Sequence, residues 1–338
     1  MRLTPQSFRT TTISNLRLNS GIHTFVFDAT AAGRTICISE QGSAASPRYH
    51  ASSSSNNIDG RARKHHIASS TVMVHNYLGK ITPYTQGWCL QEEYLQSRAK
   101  DIDGEINRML LLQHSPTYTL GRGAKEEYLT FLDENVLGKK ACERARSILA
   151  RRGGKRLSLS NATDATSPDE HDDGEISVLA PNGAPIYRVE RGGEVTYHGP
   201  GQIVCYPMLD LTQDPLRKDL HWYLRSIEEV VLRTLRHYNI DGLRDSINSG
   251  VFVDDNKICA VGLSASKWVT THGFALNVYC DLSYFDSSII MPCGLEERGV
   301  TSMSKELGSD ISLDEVQQVL LQCFQDVFNL NLIIQSKE

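Results

Sequence analysis

Near the middle of the chain the sequence reads Arg191-Gly-Gly-Glu-Val-Thr-Tyr-His-Gly-Pro-Gly-Gln202. Two glycines open this stretch, a short β-like run follows, and a His-Gly-Pro-Gly turn leads into the apolar run 203–206. Glycine lets a backbone approach a ligand with no Cβ in between, so the stretch predicts a binding wall. It has neither the order of a phosphate loop nor that of a dinucleotide-binding loop. The alternative, a tight hairpin that holds a hydrogen-bonded histidine, stays open on these residues alone.

The composition excludes two broad classes of partner. The chain has 338 residues, a mass of 37.7 kDa and a hydrophobic fraction of 40%, which suffices for one large domain or two modest ones. Its formal net charge of -5 argues against a general nucleic-acid binder. No apolar run approaches the roughly 20 residues of a membrane-spanning helix. We therefore expect no nucleic-acid partner and no membrane partner.

The cysteines of the chain are scattered, with neither a C-x-x-C pair nor the spacing of metal ligands. In a chain of this length, that pattern indicates reduced thiols rather than a disulfide framework. The sequence therefore predicts no metal site, and it implies no bound cofactor. The eight cysteines stand at positions 37, 89, 142, 205, 259, 280, 293 and 323.

Residues 1 to about 70 differ in composition from the rest of the chain. They are rich in arginine, serine and threonine, and their only acidic residues are Asp28, Glu40 and Asp59. This composition is typical of an organelle transit peptide, and the alternative is a plain disordered tail. In both cases the folded part is predicted to begin near residue 71.

A second stretch of unusual composition runs from about 132 to 184. A basic block is followed by serine, threonine and aspartate, and then by the acidic run 169–175. Opposite charge blocks with few large apolar residues predict a solvated surface insertion, helical in part near 143–152. We interpret it as a tolerated loop expansion rather than a regulatory element.

Periodicity outside these stretches predicts an α/β (α+β) domain with a mixed β-sheet flanked by helices over 71–334. Apolar residues recur at helical spacing after Asp219, and Ser312 with Glu315 forms a capping box before the last helix. A further helix is predicted over 85–100. The strand candidates are 71–74, 109–113, the extended run within 114–121, 250–253, 257–263 and 269–278, the last broken at His272-Gly273.

Cys293 stands between proline and glycine, which places it in a turn and not inside a helix or strand. A turn thiol is better placed to react than a core thiol, and neighbouring amides could hold an oxyanion. A nucleophilic thiol needs a lowered pKa and therefore a cationic or basic partner. His198, His272 and Lys257 are the candidates, and spacing alone does not choose among them. A purely structural Cys293 is the competing interpretation.

The region from about 72 to 307 resembles the lipoyl(octanoyl) transferase family. Several motifs in one order carry the resemblance, whereas any single one would be a weak signal. They are His114-Ser-Pro-Thr-Tyr-Thr-Leu-Gly121, Arg191 to Gln202, Lys257-Ile-Cys-Ala-Val-Gly262, Thr271-His-Gly-Phe-Ala-Leu-Asn277, Pro292-Cys-Gly294 and Val300-Thr-Ser302.

The resemblance implies a lipoate/biotin protein ligase-like fold and octanoyl transfer from octanoyl-acyl carrier protein to a lysine of lipoyl domains. This is the first step of endogenous protein lipoylation. Cys293 would carry the octanoyl thioester, and Lys257 would be its partner and handle protons. The motifs further imply an acyl tunnel lined by Arg191, Gly192, Gly193, Glu194, Val195, Thr196, Tyr197, His198, Ala260, Val261, Gly262, Gly273, Phe274 and Ala275.

The same kinship supplies an alternative, an ATP-dependent lipoate or octanoate ligase, which would not need a nucleophilic cysteine. A non-catalytic scaffold that binds lipoyl domains is a third interpretation, and it would tolerate Cys293→Ala. As acceptors we expect lipoyl domains of 2-oxoacid dehydrogenase E2 subunits and the glycine cleavage H protein. We expect the protein to be a monomer.

Smaller features bear on the branch of the family. His221-Trp-Tyr-Leu-Arg225 and Ser266-Lys-Trp268 resemble the plastid and cyanobacterial branch, whereas the run 300–307 is closer to the mitochondrial one. Asn248-Ser-Gly-Val-Phe252 departs from the usual Thr-Gly-Val-Trp pattern. We therefore expect a plastid protein, with the mitochondrion as the alternative.

Overall fold

The computed structural model describes residues 13–18, 21–26, 70–100, 107–137, 139–151, 178–291 and 298–336. The chain divides into two compact units, residues 1–56 and 57–338. In the first unit, strands β1 (Ile13–Leu18) and β2 (Gly21–Val26) pair antiparallel. The composition of this region predicts no strand, and most of the predicted transit peptide, 1–70, lies outside the described residues.

The second unit holds the other strands and the helices. In chain order its strands are β3 (Thr71–Thr82), β4 (Asn107–His114), β5 (Thr117–Leu120), β6 (Val178–Leu179), β7 (Pro185–Arg188), β8 (Val195–His198), β9 (Gln202–Met208), β10 (Leu243–Arg244), β11 (Val251–Val253), β12 (Asn256–Ser266), β13 (Val269–Asn277) and β14 (Asn331–Ser336). Its helices are α1 (Tyr84–Lys100), α2 (Glu134–Leu137), α3 (Lys139–Arg151), α4 (Leu220–His237), α5 (Met303–Leu307) and α6 (Leu313–Phe328).

The large sheet has eight strands in the order β10-β11-β12-β13-β9-β4-β3-β14. β14, β3 and β4 run parallel, whereas every other neighbouring pair is antiparallel. The sheet is therefore mixed, and helices cover it, which confirms the fold class predicted from the sequence. Among the described helices, none combines the length and apolarity that crossing a membrane requires.

Helices lie on both faces of the large sheet, because the central strands carry apolar side chains on both faces. On β4, Met109 and Leu111 join the core beneath α4 and α6, whereas Leu110 and Leu112 pack with Tyr94 of α1. Successive side chains of a strand point to opposite faces, so a continuous apolar run on β4 requires cover on both. The sheet is the middle layer of three.

The two long helices begin where the sequence predicts. The Asp219 side chain accepts hydrogen bonds from the amides of His221 and Trp222, which caps α4. Ser312 caps α6 by accepting from the Asp314 amide. Such caps satisfy amides that a helix leaves unpaired at its start.

The small sheet has the order β6-β7-β5-β8 and a core of its own. Part of the stretch predicted as a solvated insertion belongs to this layer. Cys142 and Leu149 of α3 are fully buried, and β6 pairs with β7. The stretch 132–184 is therefore solvated only in part, because α3 has an apolar face despite its many charges. Residues 152–177 lie outside the described residues.

The hairpin alternative for the glycine-rich stretch is wrong. β8 pairs with β5 in the small sheet, whereas β9 pairs with β4 and β13 in the large one. The turn between them carries the chain from one sheet to the other. Gly201 adopts φ 82° in this turn, and a Cβ there would lie 2.8 Å from the Cys280 amide nitrogen.

The predicted break at His272-Gly273 is also wrong, because β13 continues through both residues. His272 has φ 56°, a conformation uncommon for a non-glycine residue, yet its backbone stays in register with β12. Gly273 is required by close packing, since a Cβ there would lie 2.2 Å from the Cys205 carbonyl oxygen. The glycine thus marks a close strand approach and not the end of the strand.

Candidate active site

A cavity of about 230 Å³ lies where the small sheet meets the large one. The glycine-rich stretch and β8 form one wall, β12 and β13 form another, and the loop before β11 closes a third side. The lining consists of Tyr84, Arg191, Gly193, Glu194, Val195, Thr196, His198, Tyr206, Ile247, Asn248, Ser249, Lys257, Ala260, Val261, Gly262, His272, Gly273, Phe274 and Ala275.

Most of the residues that the motifs single out come together around this cavity, although they are far apart in the sequence. Two do not line it: Gly192, whose amide bonds to the Leu263 carbonyl, and Tyr197, which points into the small-sheet core and stacks on Tyr284. Alternation along β8 explains Tyr197, because its neighbours Thr196 and His198 face the other way. Cys293 lies outside the described residues.

Backbone hydrogen bonds hold the glycine-rich wall in place. The Gly192 amide donates to the Leu263 carbonyl at 2.9 Å, and the Gly121 amide donates to the Glu194 carbonyl at 3.1 Å. A Cβ on Gly121 would lie 2.2 Å from the Gly193 carbonyl oxygen. Glycine is needed at 121 because two backbone segments approach this closely.

Arg191 is buried, and its guanidinium anchors the wall from inside. It donates to the carbonyl oxygen and the hydroxyl of Thr119 on β5, both at 2.8 Å, and to the Gly192 carbonyl at 3.0 Å. A buried charge is tolerated only when its hydrogen bonds are made. The side chain therefore has a structural task in addition to the positive charge that it brings to the cavity.

Lys257 is buried on β12, where it lines the cavity. Its Nζ donates to the Ser249 carbonyl at 3.3 Å and lies 5.0 Å from the centre of the Phe252 ring. The Lys257 amide donates to the Gly299 carbonyl at 2.9 Å, and the Thr301 amide donates to the Lys257 carbonyl at 3.0 Å. The segment that follows residues 292–297 is thus paired with the backbone of this lysine.

Two buried histidines have tautomers that their partners define. His114 Nδ1 lies 3.0 Å from the Thr82 carbonyl oxygen, which only accepts, so Nδ1 carries the proton. His114 Nε2 then accepts from the Tyr206 hydroxyl at 2.8 Å. His198 Nδ1 lies 3.0 Å from Gln202 Oε1 and also carries the proton.

A chain of buried amides links His198 to Lys257. Gln202 Nε2 donates to Asn277 Oδ1 at 2.8 Å, and Asn277 Nδ2 donates to the Thr301 carbonyl at 2.9 Å. Thr301 in turn pairs with the backbone of Lys257, as described above. One continuous set of hydrogen bonds therefore sets the geometry of both a cavity histidine and the lysine.

The histidines near the cavity are neutral at neutral pH. Burial lowers the pKa of His114 to about 4, and burial together with the charges of Arg191 and Arg122 lowers the pKa of His272 to about 3. Burial, with neighbouring His114 and Arg191, holds the pKa of His198 well below its ordinary value. Of the three candidate partners for a thiol, Lys257 is the one that can supply positive charge.

Several lining residues were absent from the predicted set. Tyr84 and Tyr206 stack or pack against His198 and His272, and their sequence contexts look like ordinary core. Ile247 lies at the rim with 89% of its side chain exposed. Asn248 and Ser249 belong to the run noted above only as a departure from the family pattern, which was the one available signal.

Metal-ligating side chains do not cluster among the residues that the structure describes. Within the ranges that the structure describes, no group of three or more histidine, cysteine, aspartate or glutamate side chains could hold an ion. Several polar groups of the lining, among them those of Arg191, His198 and Lys257, bond instead to neighbouring side chains or to the backbone.

The fold places the protein among lipoate-protein-ligase-like structures. A solved structure of lipoate-protein ligase A bound with ATP superimposes with a TM-score of 0.50, covering 79% of this chain and 90% of that chain at 18% identity. The family described as the Lipoyl protein ligase A/B catalytic domain matches residues 168–325.

Comparison with related sequences identifies the family more closely than the fold does. The octanoyltransferase of Rubrobacter xylanophilus is 37% identical over 249 residues, which are 73% of this chain and 90% of the relative. That of Christiangramia forsetii is 49% identical over 267 residues, 75% and 94% of the two chains. That of Synechocystis is 35% identical over 253 residues, 75% and 88%. The chain belongs to the octanoyltransferase family, and it is therefore an acyltransferase.

The neutral histidines make stability depend on pH. Because His114, His198 and His272 have lower pKa values folded than unfolded, the unfolded state binds more protons below about pH 6.5. The free energy of unfolding should be greatest above that pH and fall by about 1 kcal/mol per pH unit for each histidine as the pH approaches 5. Urea unfolding at several pH values measures this slope.

Two variants give the controls for the pH experiment. His198→Gln should flatten the slope by about one histidine's share, whereas His221→Gln, at an exposed position on α4, should keep it. Equal slopes in His198→Gln and wild type would show that the buried histidine does not contribute.

Proposed function

We propose that the protein transfers an octanoyl group from octanoyl-acyl carrier protein to a lysine of a lipoyl domain, through a thioester on Cys293. Family membership supports octanoyl transfer as the reaction. The observation that carries the proposal is the buried lysine, Lys257, in a cavity whose two histidines, His198 and His272, are neutral and whose Arg191 side chain is bonded to Thr119 and Gly192. The proposal assigns the substrate-binding role to the lining residues predicted from the motifs.

The cavity has the size that the acyl group requires. A cavity of about 150 Å³ holds a benzene ring, so eight carbons need roughly 200 Å³, close to the 230 Å³ available. Small residues on the lining, among them Ala260, Gly262 and Ala275, leave this space open. Burial of the chain at about 0.8 kcal/mol per CH₂ supplies binding energy that depends on acyl length.

In the first half-reaction, the Cys293 sulfur attacks the thioester carbonyl of the donor after Lys257 takes the thiol proton. A sulfur–carbon bond forms, and the tetrahedral oxyanion collapses. The carbon–sulfur bond to the carrier then breaks, and the departing thiolate receives the proton from Lys257. The products are octanoyl-Cys293 and the free carrier thiol.

In the second half-reaction, the neutral ε-amine of the acceptor attacks the acyl-enzyme. A carbon–nitrogen bond forms, the carbon–sulfur bond to Cys293 breaks, and the amine proton passes through Lys257 to the cysteine sulfur. The amide is more stable than the thioester, so the transfer runs towards the acceptor. No ATP is consumed in this sequence.

Lipoyl domains of 2-oxoacid dehydrogenase E2 subunits and the glycine cleavage H protein are the acceptors that we propose. We propose that the protein acts as a monomer. Light scattering should accordingly give a monomer of 37.7 kDa, and a dimer mass would contradict this part of the proposal.

We further propose that residues 1–70 direct the protein to plastids and that it belongs to the plastid and cyanobacterial branch. The arginine- and serine-rich, acid-poor composition supports targeting. A fluorescent fusion of the full chain in leaf cells should coincide with a plastid marker, and a fusion that lacks residues 1–70 should not. Coincidence with a mitochondrial marker would select the alternative organelle.

The acyl-enzyme is tested by intact mass after mixing with octanoyl-acyl carrier protein and no ATP. Wild type should gain one octanoyl group that hydroxylamine removes, and Cys293→Ser should not form this labile adduct. Lys257→Ala should slow adduct formation by about 100-fold or more, because a positioned acid–base group contributes at least that factor.

The control for the cysteine variant is Cys89→Ser, which removes another free thiol and should behave as wild type. No adduct on wild type, with octanoylation only when free octanoate and ATP are supplied, would refute the transferase mechanism and favour a ligase. An unchanged activity of Cys293→Ala would favour the scaffold.

A further inference from the structure

Two charged side chains of the described lining bear on the approach of the acceptor lysine. Arg191 contributes a permanent cation, and Glu194 contributes the lining's one carboxylate among the described residues. An acceptor lysine approaches as an ammonium ion, which the Arg191 cation in a partly desolvated cavity repels. The second half-reaction therefore needs a group that offsets this repulsion.

Glu194 is held at the cavity by its backbone, and one oxygen of its carboxylate can still accept a hydrogen bond. Its carbonyl accepts from the Gly121 amide at 3.1 Å, which fixes the residue at the end of the wall. Its Oε2 atom is buried and accepts no hydrogen bond from any residue that the structure describes. A buried carboxylate oxygen without a donor is costly, so a donor is expected to occupy that position when substrate is bound.

The cations around Glu194 do not fill this role. Lys125 forms an ion pair with Glu127 at 3.1 Å on the surface, where both side chains are about two-thirds exposed. Lys257 donates from Nζ to Ser249. Burial raises the pKa of Glu194, and the charges of Lys257 and Lys125 lower it in part.

From this arrangement we propose that Glu194 binds the ε-ammonium of the acceptor lysine and guides it to the acyl-enzyme. The inference rests on the function proposed above and adds to the place of Glu194 in the cavity lining a task for its charge in the second half-reaction. The octanoyl thioester carries no cation at its reacting end, so the first half-reaction gains nothing from this carboxylate. Before attack, the ammonium ion gives one proton to neutral Lys257, which releases it to solvent; the second proton passes to the Cys293 sulfur as the amide forms. The amide product therefore carries no charge, and Glu194 ceases to attract it.

The test separates a charged acceptor from an uncharged one. Octanoyl-enzyme is prepared from wild type and Glu194→Gln and then mixed with purified lipoyl domain or with hydroxylamine, which is uncharged at neutral pH. In Glu194→Gln, transfer to subsaturating lipoyl domain should slow about tenfold or more, the usual effect of losing one charge-assisted hydrogen bond. Its discharge by hydroxylamine should stay within about twofold of wild type.

Glu190→Gln is the matched control. This carboxylate lies four positions earlier, is 67% exposed and pairs with Arg122 at 3.8 Å, outside the cavity lining. It undergoes the same change of charge and should transfer to the lipoyl domain at the wild-type rate.

Three results would overturn the inference. Glu194→Gln could match wild type with the lipoyl domain, or it could slow hydroxylamine as strongly as the domain, which would indicate a general effect on the site. A loss as large in Glu190→Gln would indicate surface charge instead. If wild type forms no octanoyl-enzyme, the proposed function itself fails, and this inference fails with it.

Discussion

The buried guanidinium of Arg191 is the interaction on which the cavity depends. It satisfies its hydrogen bonds on Thr119 of the small sheet and on the wall that it belongs to, so it fixes the wall to a rigid layer. Its charge also contributes to the lowered pKa values of His198 and His272. Burial is the main cause of those lowered pKa values, and the Arg191 charge adds to it, so one buried ion bears on both the shape of the cavity and the neutral state of its imidazoles.

Local sequence predicts the elements of this fold better than their partners. The caps at Asp219 and Ser312 and the apolar periods behind them have local physical causes, so α4 and α6 follow from the sequence. The pairing of β8 and β9 does not. They are adjacent in the chain, yet they lie in different sheets, because the choice of partner depends on strands distant in sequence.

The same distinction holds for the cavity. The walls that contain glycine could be predicted, because two backbone segments can approach closely only at glycine, as they do at Gly121 and Gly273. The positions of Tyr84 and Tyr206 in the lining could not be predicted. An aromatic residue in an apolar run gives no local sign that one of its faces borders a cavity. Tyr197 was wrongly predicted to line the cavity, because a motif names consecutive residues. In a strand, alternate side chains point to opposite faces, so only some residues of the motif can face the cavity.

The parallel pair β3 and β14 joins the first strand of the large sheet in chain order to the last. The Asn331 amide donates to the Ser70 carbonyl at 2.7 Å, so the pairing begins at the very edge of the domain. During synthesis, β3 leaves the ribosome long before β14 is translated. Until then β3 is the edge of this side of the sheet and its outer backbone groups are unpaired, so the native sheet is completed only after nearly the whole chain has been made.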